Sequence, residues 1–277
     1  MSAARKKPGR TGAGRWAAVA LVLASLVFAL VWVYPLLQSY GVMSLYSAQQ
    51  QKGSVMRRCG MDADIPLVGG WYQQMLVFNA EGFADWSGIE ADMSVLYTFG
   101  GFDLARRTSV LYDPNSDKYS AFYGAYAVQK DGGVFGFDGS GALDMDEVTA
   151  AVKYDYTRLV MANFGCPEPV FEAEDMSMRE NAVCSGSGGW TRIDAKLRVN
   201  GAAHTYKEDA PAYLQYGKPM RTDEPDFAEI NMVGRIYAQY FPSFGCTVMM
   251  YCIAPDIKTV DACDTEALQQ SVIAALQ

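Results

Sequence analysis

Histidine is nearly missing from this sequence: His204 is the only one in 277 residues. Any nucleophilic hydrolase that needs an imidazole base must use it. No GxSxG motif is present, and no Ser is followed three places later by Lys, so the common serine-nucleophile patterns are excluded. None of the six cysteines forms a CxxC pair, which argues against a redox motif or a zinc ribbon. The glycine run Gly186-Ser-Gly-Gly189 lacks GxGxxG and GK[ST] order, so it implies no nucleotide site. Basic charge is also scarce. Lys+Arg is 23 against 31 Asp+Glu, for a net charge of −8; nucleic acid, which demands a basic footprint, is not an expected partner.

What charge there is falls unevenly. Arg5, Lys6, Lys7, Arg10 and Arg15 precede an uncharged run from Trp16 to Leu37, and no acid occurs before Asp62. These five leave 18 basic residues against all 31 acids in the remainder. As a helix, residues 16–37 rise about 33 Å, enough to cross a hydrocarbon core of about 30 Å. Trp16 stands at one end and Trp32 and Tyr34 near the other, where amphipathic rings settle at the headgroups. The run is longer than a signal-peptide core, and Pro35-Leu36-Leu37-Gln38-Ser39-Tyr40 has no small-x-small cleavage site. The expectation is a basic cytoplasmic tail over 1–15, an uncleaved signal-anchor over 16–37, a stalk or continuing helix over 38–60, and an extracytoplasmic domain over 61–277. The positive-inside bias places the N-terminus in the cytoplasm and the acidic bulk outside the cell membrane.

Cys59, Cys166, Cys184, Cys246, Cys252 and Cys263 all follow the apolar run. An even count in an exported region is compatible with three disulfides. Cys246 and Cys252 share a strand-like run and, about 20 Å apart if extended, cannot pair with each other. Pairing Cys252 with Cys263 and Cys166 with Cys184 closes short loops and leaves Cys59 with Cys246.

The expected fold class is α+β: a mostly antiparallel sheet with about three helices after the membrane segment. From Trp71 to Phe137 there are 15 aromatics, a density suited to strands packed on both faces. Turn residues at Asp113–Asp117 and Asp131-Gly132 predict a three-strand meander from Thr108 to Phe137. Asp144 and Glu147 have capping-box spacing ahead of a helix to about Asn163, with Val148, Val152, Leu159 and Val160 on one side. Asp226 and Glu229 repeat that spacing before an apparent stripe of Phe227, Ile230, Val233, Ile236, Tyr237 and Tyr240, predicting a second helix. A strand over Cys246–Ile253 and a helix over Asp264–Leu276 close the chain. The alternation of Ile193–Val199 and the Asn200-Gly201 pair predict a hairpin, which sets His204 on the buried side with Leu197.

The sharpest local pattern spans Gly136–Glu147. Against a calcium loop, Asp138, Ser140, the backbone carbonyl of Ala142, Asp144 and Glu147 fall at ligand positions, and Gly141 at the turn. Gly136 replaces the first carboxylate. The same residues also read as a turn followed by a helix cap. Ca²⁺ is thus the only cofactor the sequence brings forward. Acid clusters at Glu172, Glu174 and Asp175, and at Glu224, Asp226 and Glu229, have the residue type for glycoside hydrolysis, but acids also favour helix starts and solvated loops.

With no catalytic constellation, the leading expectation is a membrane-anchored envelope protein that binds a small ligand, a glycan or another envelope protein. The alternative is an anchored cell-envelope hydrolase using carboxylates or a free cysteine.

Overall fold

The run Cys246-Thr-Val-Met-Met-Tyr-Cys-Ile-Ala254 has no polar face, so as a strand it can only be covered on both sides. The computed structural model, which describes residues 13–71, 75–103, 105, 108–203 and 227–276, places it in that position. In chain order the strands are β1 (Met61–Asp64), β2 (Leu76–Asn79), β3 (Ala91–Phe99), β4 (Phe102–Asp103), β5 (Thr108–Ser109), β6 (Phe122–Lys130), β7 (Phe171–Cys184), β8 (Ser187–Asn200), β9 (Glu229–Phe241), β10 (Cys246–Ala254) and β11 (Val272–Ala275). The main sheet has seven antiparallel strands in the order β2-β3-β6-β10-β9-β8-β7. Two short ribbons, β1-β11 and β4-β5, lie outside it. The fold is α+β with a large antiparallel sheet, as expected.

Period-2 alternation divides β10 between two cores. Met249, Tyr251 and Ile253 join the core on one face; Cys246, Val248, Met250, Cys252 and Ala254 join the core on the other. The first core is covered by α3 (Phe83–Ser87), α4 (Met145–Tyr154), a π-helical stretch over Asp155–Met161 and α5 (Ala162–Phe164). The second is covered by α2 (Val55–Arg58), α6 (Ile257–Cys263) and a second π-helical stretch over Asp264–Leu268.

The first helix, α1 (Ala13–Lys52), is 40 residues long, about 60 Å. Its segment Gly14–Tyr34 is long and apolar enough to cross a membrane, and none of the most apolar window is buried against the rest of the chain. Trp16 is 76% exposed and Leu21 70%, an arrangement unlike a core helix. The helix then continues onto the edge of the sheet. The Val77 N–H donates to Ser47 Oγ at 2.8 Å, and the Asn79 N–H to Gln50 Oε1 at 3.2 Å. Asn79 Nδ2 donates to the Gln50 carbonyl at 3.0 Å. Side chains of α1 thus satisfy the open donors of edge strand β2.

Several sequence expectations fail, each for a physical reason. There are more helices than three, several of them only a turn or two long. The helix expected from Asp226 is instead β9. Ile230, Met232, Ile236 and Ala238 pack on one core, and Val233 and Tyr237 on the other. A strand apolar on both faces mimics a helical stripe because spacings of two and of three or four then both land on apolar residues.

The Asn200-Gly201 hairpin does not form: Val199 pairs with Phe171 and with Ile230. The Asn200 side chain accepts from the Val170 N–H at 2.5 Å and donates to the Phe227 carbonyl at 2.8 Å. It ties the entries of β7 and β9 to the end of β8. His204 lies outside the described residues. The meander around residues 108–137 is also absent. β6 pairs with β3 and β10, while Val110–Tyr112 is a 3₁₀ turn. The terminal helix expected over Asp264–Leu276 ends early, and Val272–Ala275 crosses back to pair with β1.

Candidate functional site

The helix opened at residue 144 follows its sequence signals. The Asp144 carboxylate accepts from the N–H groups of Asp146 and Glu147 at 3.0 and 3.2 Å, and α4 runs on to Tyr154. From Asp155 to Met161 the helix widens to π geometry, which re-aims side chains and recurs at functional sites. Asp155, the first residue of this stretch, is buried.

Asp155 is 2% exposed. Its Oδ2 accepts from Tyr126 Oη at 2.9 Å. Its Oδ1 is buried and has no hydrogen-bond partner among the described residues. Tyr126, on β6, stacks on Tyr251 of β10 with ring centroids 4.3 Å apart and planes 4° from parallel. Burial raises the Asp155 pKa from the ordinary carboxylate value of 3.8 to about 7, with the Tyr126 hydrogen bond opposing the rise. Burial, together with the nearby Asp155 carboxyl, pushes the Tyr126 hydroxyl well above its usual value.

This carboxyl lines a cavity of about 70 Å³ between α4 and the sheet. Met145, Val148 and Val152 contribute from α4; Ala173 and Met176 from β7; Ala195 and Leu197 from β8. Met176 is 50% exposed, so the hollow meets solvent between α4 and the β7–β8 ribbon. On the measure of about 10–15 Å³ per water centre, the cavity has room for a few waters or the end of a slender apolar molecule. Methionines at its mouth can re-pack around different shapes. A mostly apolar hollow with a few polar residues on its wall, Asp155, Thr149 and Tyr251 among them, has the composition of a small-ligand site.

Sequence reasoning missed Asp155, although a signal was there. Val148, Val152 and Leu159 define the buried side of the helix, and Asp155 stands at the same spacing within that stripe. A carboxylate on an apolar face is a buried polar group in need of an explanation.

A second hollow of about 180 Å³ lies against α1, lined by Tyr46, Phe78, Asn79, Tyr97, Leu159 and Asn163 among others. It is larger, but no ionisable carboxylate or amine lines it.

The five residues of the calcium pattern do share one loop, and each has an internal partner. Asp138 Oδ1 accepts from Ser140 Oγ at 2.6 Å, the Ser140 N–H at 2.8 Å and the Ala142 N–H at 3.1 Å. The Ser140 hydroxyl, followed by these backbone donors, holds the Asp138 carboxyl below its ordinary pKa. The Ala142 carbonyl accepts from the Asp138 N–H at 2.9 Å, and Asp144 caps α4. Glu147 Oε1 pairs with Lys130 Nζ, and its Oε2 accepts from the Gly136 N–H at 2.7 Å. Among the described residues, no three His, Cys, Asp or Glu side chains are placed together to hold a metal.

Glu172, Asp175 and Glu229 of the acid clusters are drawn into ion pairs. Glu172 and Glu229, on strands flanking β8, both pair with Arg198. Asp175 pairs with Lys196 at 2.7 Å. Glu224 and Asp226 lie outside the described residues.

The cysteines are all thiols in this structure. Cys166 belongs to one core and Cys184 to the other, so the fold does not bring those two together. Cys184 is fully buried against the Leu268 carbonyl at 3.5 Å. Burial, reinforced by Asp264, pushes its pKa up to about 12, which suppresses the thiolate that nucleophilic chemistry needs. Cys252 and Cys263 are both buried in the second core, where Cys252 Sγ donates to the Val260 carbonyl at 3.7 Å. Cys59 packs against the same core as Cys246, and Cys246 Sγ donates to the Thr247 carbonyl at 3.5 Å. Comparison with protein-family models, curated proteins and solved structures found no match.

Proposed function

We propose that this protein is a membrane-anchored ligand-binding domain that takes a small apolar molecule, or the end of an apolar chain, into the cavity beneath α4. The observation that carries this reading is Asp155, a buried carboxyl with an unpartnered Oδ1, among the residues that line a mostly apolar hollow. Such an atom costs about 1–3 kcal/mol if nothing meets it, and a ligand hydroxyl, amide or carbonyl would offset that. A carboxyl with a pKa near 7 donates to a carbonyl when protonated and accepts from a hydroxyl or amide when ionised. The apolar walls would supply affinity and Asp155 would fix orientation.

The anchor is α1, whose Gly14–Tyr34 segment is long and apolar enough to cross a membrane. The five basic residues ahead of it favour a cytoplasmic N-terminus, with the sheet domain outside the cell membrane. Because α1 is hydrogen-bonded to β2, the binding domain is held at the bilayer surface without a loose tether. An apolar ligand drawn from that surface or from an envelope partner fits this placement.

The test is photolabelling of the full chain in phosphatidylcholine nanodiscs with an octanol carrying a diazirine. Saturable labelling of the peptides bearing Met145–Met161 and Ala173–Leu197 is expected. Ala195→Trp, which fills the cavity, removes that labelling while leaving any label on Trp16–Leu37. Label confined to the apolar helix, or unchanged by a folded Ala195→Trp protein, overturns the proposal.

A further inference from the structure

Cys59 closes α2 just after the membrane helix ends: its N–H donates to the Val55 carbonyl at 2.9 Å. Cys246 opens β10, the central strand of the sheet. Although far apart in sequence, both side chains pack in the second core, where they interact with each other. The two differ in access. Cys246 is fully buried, whereas Cys59 is half-buried and follows Arg57 and Arg58. Pairs with one reachable and one shielded sulfur suit thiol–disulfide exchange, since the first can be engaged from solvent and the second can resolve it. The remaining cysteines lack this combination, because Cys166, Cys184, Cys252 and Cys263 are all buried.

We infer that Cys59 and Cys246 form a redox-active pair that closes to a disulfide and clamps the base of the membrane helix to the central strand. The oxidant is the disulfide of a thiol–disulfide oxidoreductase or a small-molecule disulfide. Cys59 loses its proton, and its thiolate attacks one sulfur of that disulfide, expelling the other sulfur as a thiolate. Cys246, deprotonated in turn, attacks Cys59 Sγ and expels the second sulfur. The protein loses two protons and two electrons, and the oxidant becomes two thiols. Arg58 favours the Cys59 thiolate while burial opposes it. Burial also pushes Cys246 up to about 12, so closure is slow without a catalyst.

The consequence is mechanical. The Val55 N–H donates to Ser94 Oγ at 2.8 Å, and Ser94 Oγ donates to Asn79 Oδ1 at 2.8 Å. In the thiol state these hydrogen bonds are prominent among the ties between the α1–α2 junction and the sheet. The disulfide adds a covalent tie across the sheet from the β2 edge to β10.

The full chain in nanodiscs is equilibrated with oxidised and reduced glutathione, then denatured and alkylated with iodoacetamide. At oxidising ratios, two fewer alkyl groups are expected, with a linked peptide containing Cys59 and Cys246. Oxidation should raise the melting temperature by about 5 °C or more, as expected for closing a long loop. Cys59→Ser, at the half-buried position, should abolish both effects. Alkylation of both thiols in fully oxidised glutathione, or a linked peptide joining Cys59 to any other cysteine, overturns the inference. The chemistry is read on purified protein, so its outcome does not depend on which side of the membrane the domain occupies or on the photolabelling result.

Discussion

Tyr126 holds one oxygen of Asp155 by a 2.9 Å hydrogen bond, and the other is buried with no partner among the described residues. The arrangement stores instability that depends on pH. Below about pH 4 the carboxyl is protonated in both folded and unfolded chains. Between 4 and 7 the folded chain keeps a proton that the unfolded chain releases. Stability should therefore fall as pH rises through this window and level off above it.

Asp155→Asn removes the titrating group and keeps its shape. The variant should lack that decline and at pH 8 should exceed the parent by up to roughly 4 kcal/mol, the free-energy equivalent of holding the pKa near 7. Urea unfolding at pH 5 and pH 8 checks this. Parallel pH profiles for the two proteins would remove Asp155 as the source.

Tyr126→Phe acts in the opposite direction. Its hydroxyl donates to the carboxylate and so restrains the rise in the Asp155 pKa. Without it the folded-state value should move above 7, and the fall in stability should extend to higher pH. An extra loss of about 1–3 kcal/mol is expected at pH 8, with a smaller loss at pH 5. The same pair of urea titrations reads the difference.

Gly124 shows how tightly β3 and β6 meet. A Cβ there would sit 1.8 Å from the Leu96 carbonyl oxygen and 2.8 Å from Tyr97 Cα. Both obstacles are backbone, so no side-chain rotation relieves them. Gly124→Ala should separate the two strands in the middle of the sheet and cost more than about 4 kcal/mol. Loss of the cooperative thermal transition is the expected result; a folded variant with near-parental melting would show that the strands can shift.

How much of this architecture is legible in the sequence depends on how many faces an element buries. β10 reads as a strand because its apolar run is short and bounded by glycine and proline. α4 reads as a helix because Asp144 and Glu147 mark its start. β9 does not, because burial of both faces erases the period-2 signal and leaves Asp226 and Glu229 as a false cap. Asn200-Gly201 has the composition of a tight turn, yet the Asn200 side chain spends its hydrogen bonds on Val170 and Phe227. The site was half legible. The stripe through Val148, Val152 and Leu159 contained Asp155, but nothing local could reveal that a tyrosine from β6 meets one oxygen and that the other is buried without a partner. Those are long-range facts of sheet order.

Arg235 supplies a test on the opposite face. It is 6% exposed, donates to Asp194 at 2.7 Å and Asp264 at 2.6 Å, and forms an ion pair with Asp261 at 2.9 Å. Tyr237 also donates to Asp264 at 2.9 Å. Burial alone would lower the Arg235 pKa; Asp194 and Asp264 outweigh it and raise the pKa. Arg235→Ala leaves Asp264 buried with its main counter-charge gone, and should cost about 3–5 kcal/mol. Chemical denaturation measures it. A loss below about 1 kcal/mol would mean that water replaces the guanidinium.

Glu147 separates the structural role of its loop from a metal-binding one. Its two oxygens engage Lys130 and the Gly136 N–H, joining the end of β6 to the start of α4. Glu147→Ala should therefore lower stability by about 1–3 kcal/mol in EDTA, where no calcium is available. Calcium at Asp138, Ser140, Ala142, Asp144 and Glu147 would first have to displace Lys130, a cation already seated on the bidentate position. If the loop takes calcium, the parent protein melts higher in millimolar calcium than in EDTA, and the increment vanishes in Glu147→Ala. Thermal melts of both proteins in both buffers distinguish the two contributions. Loss in EDTA marks the Lys130 clamp, and a calcium increment confined to the parent marks the metal.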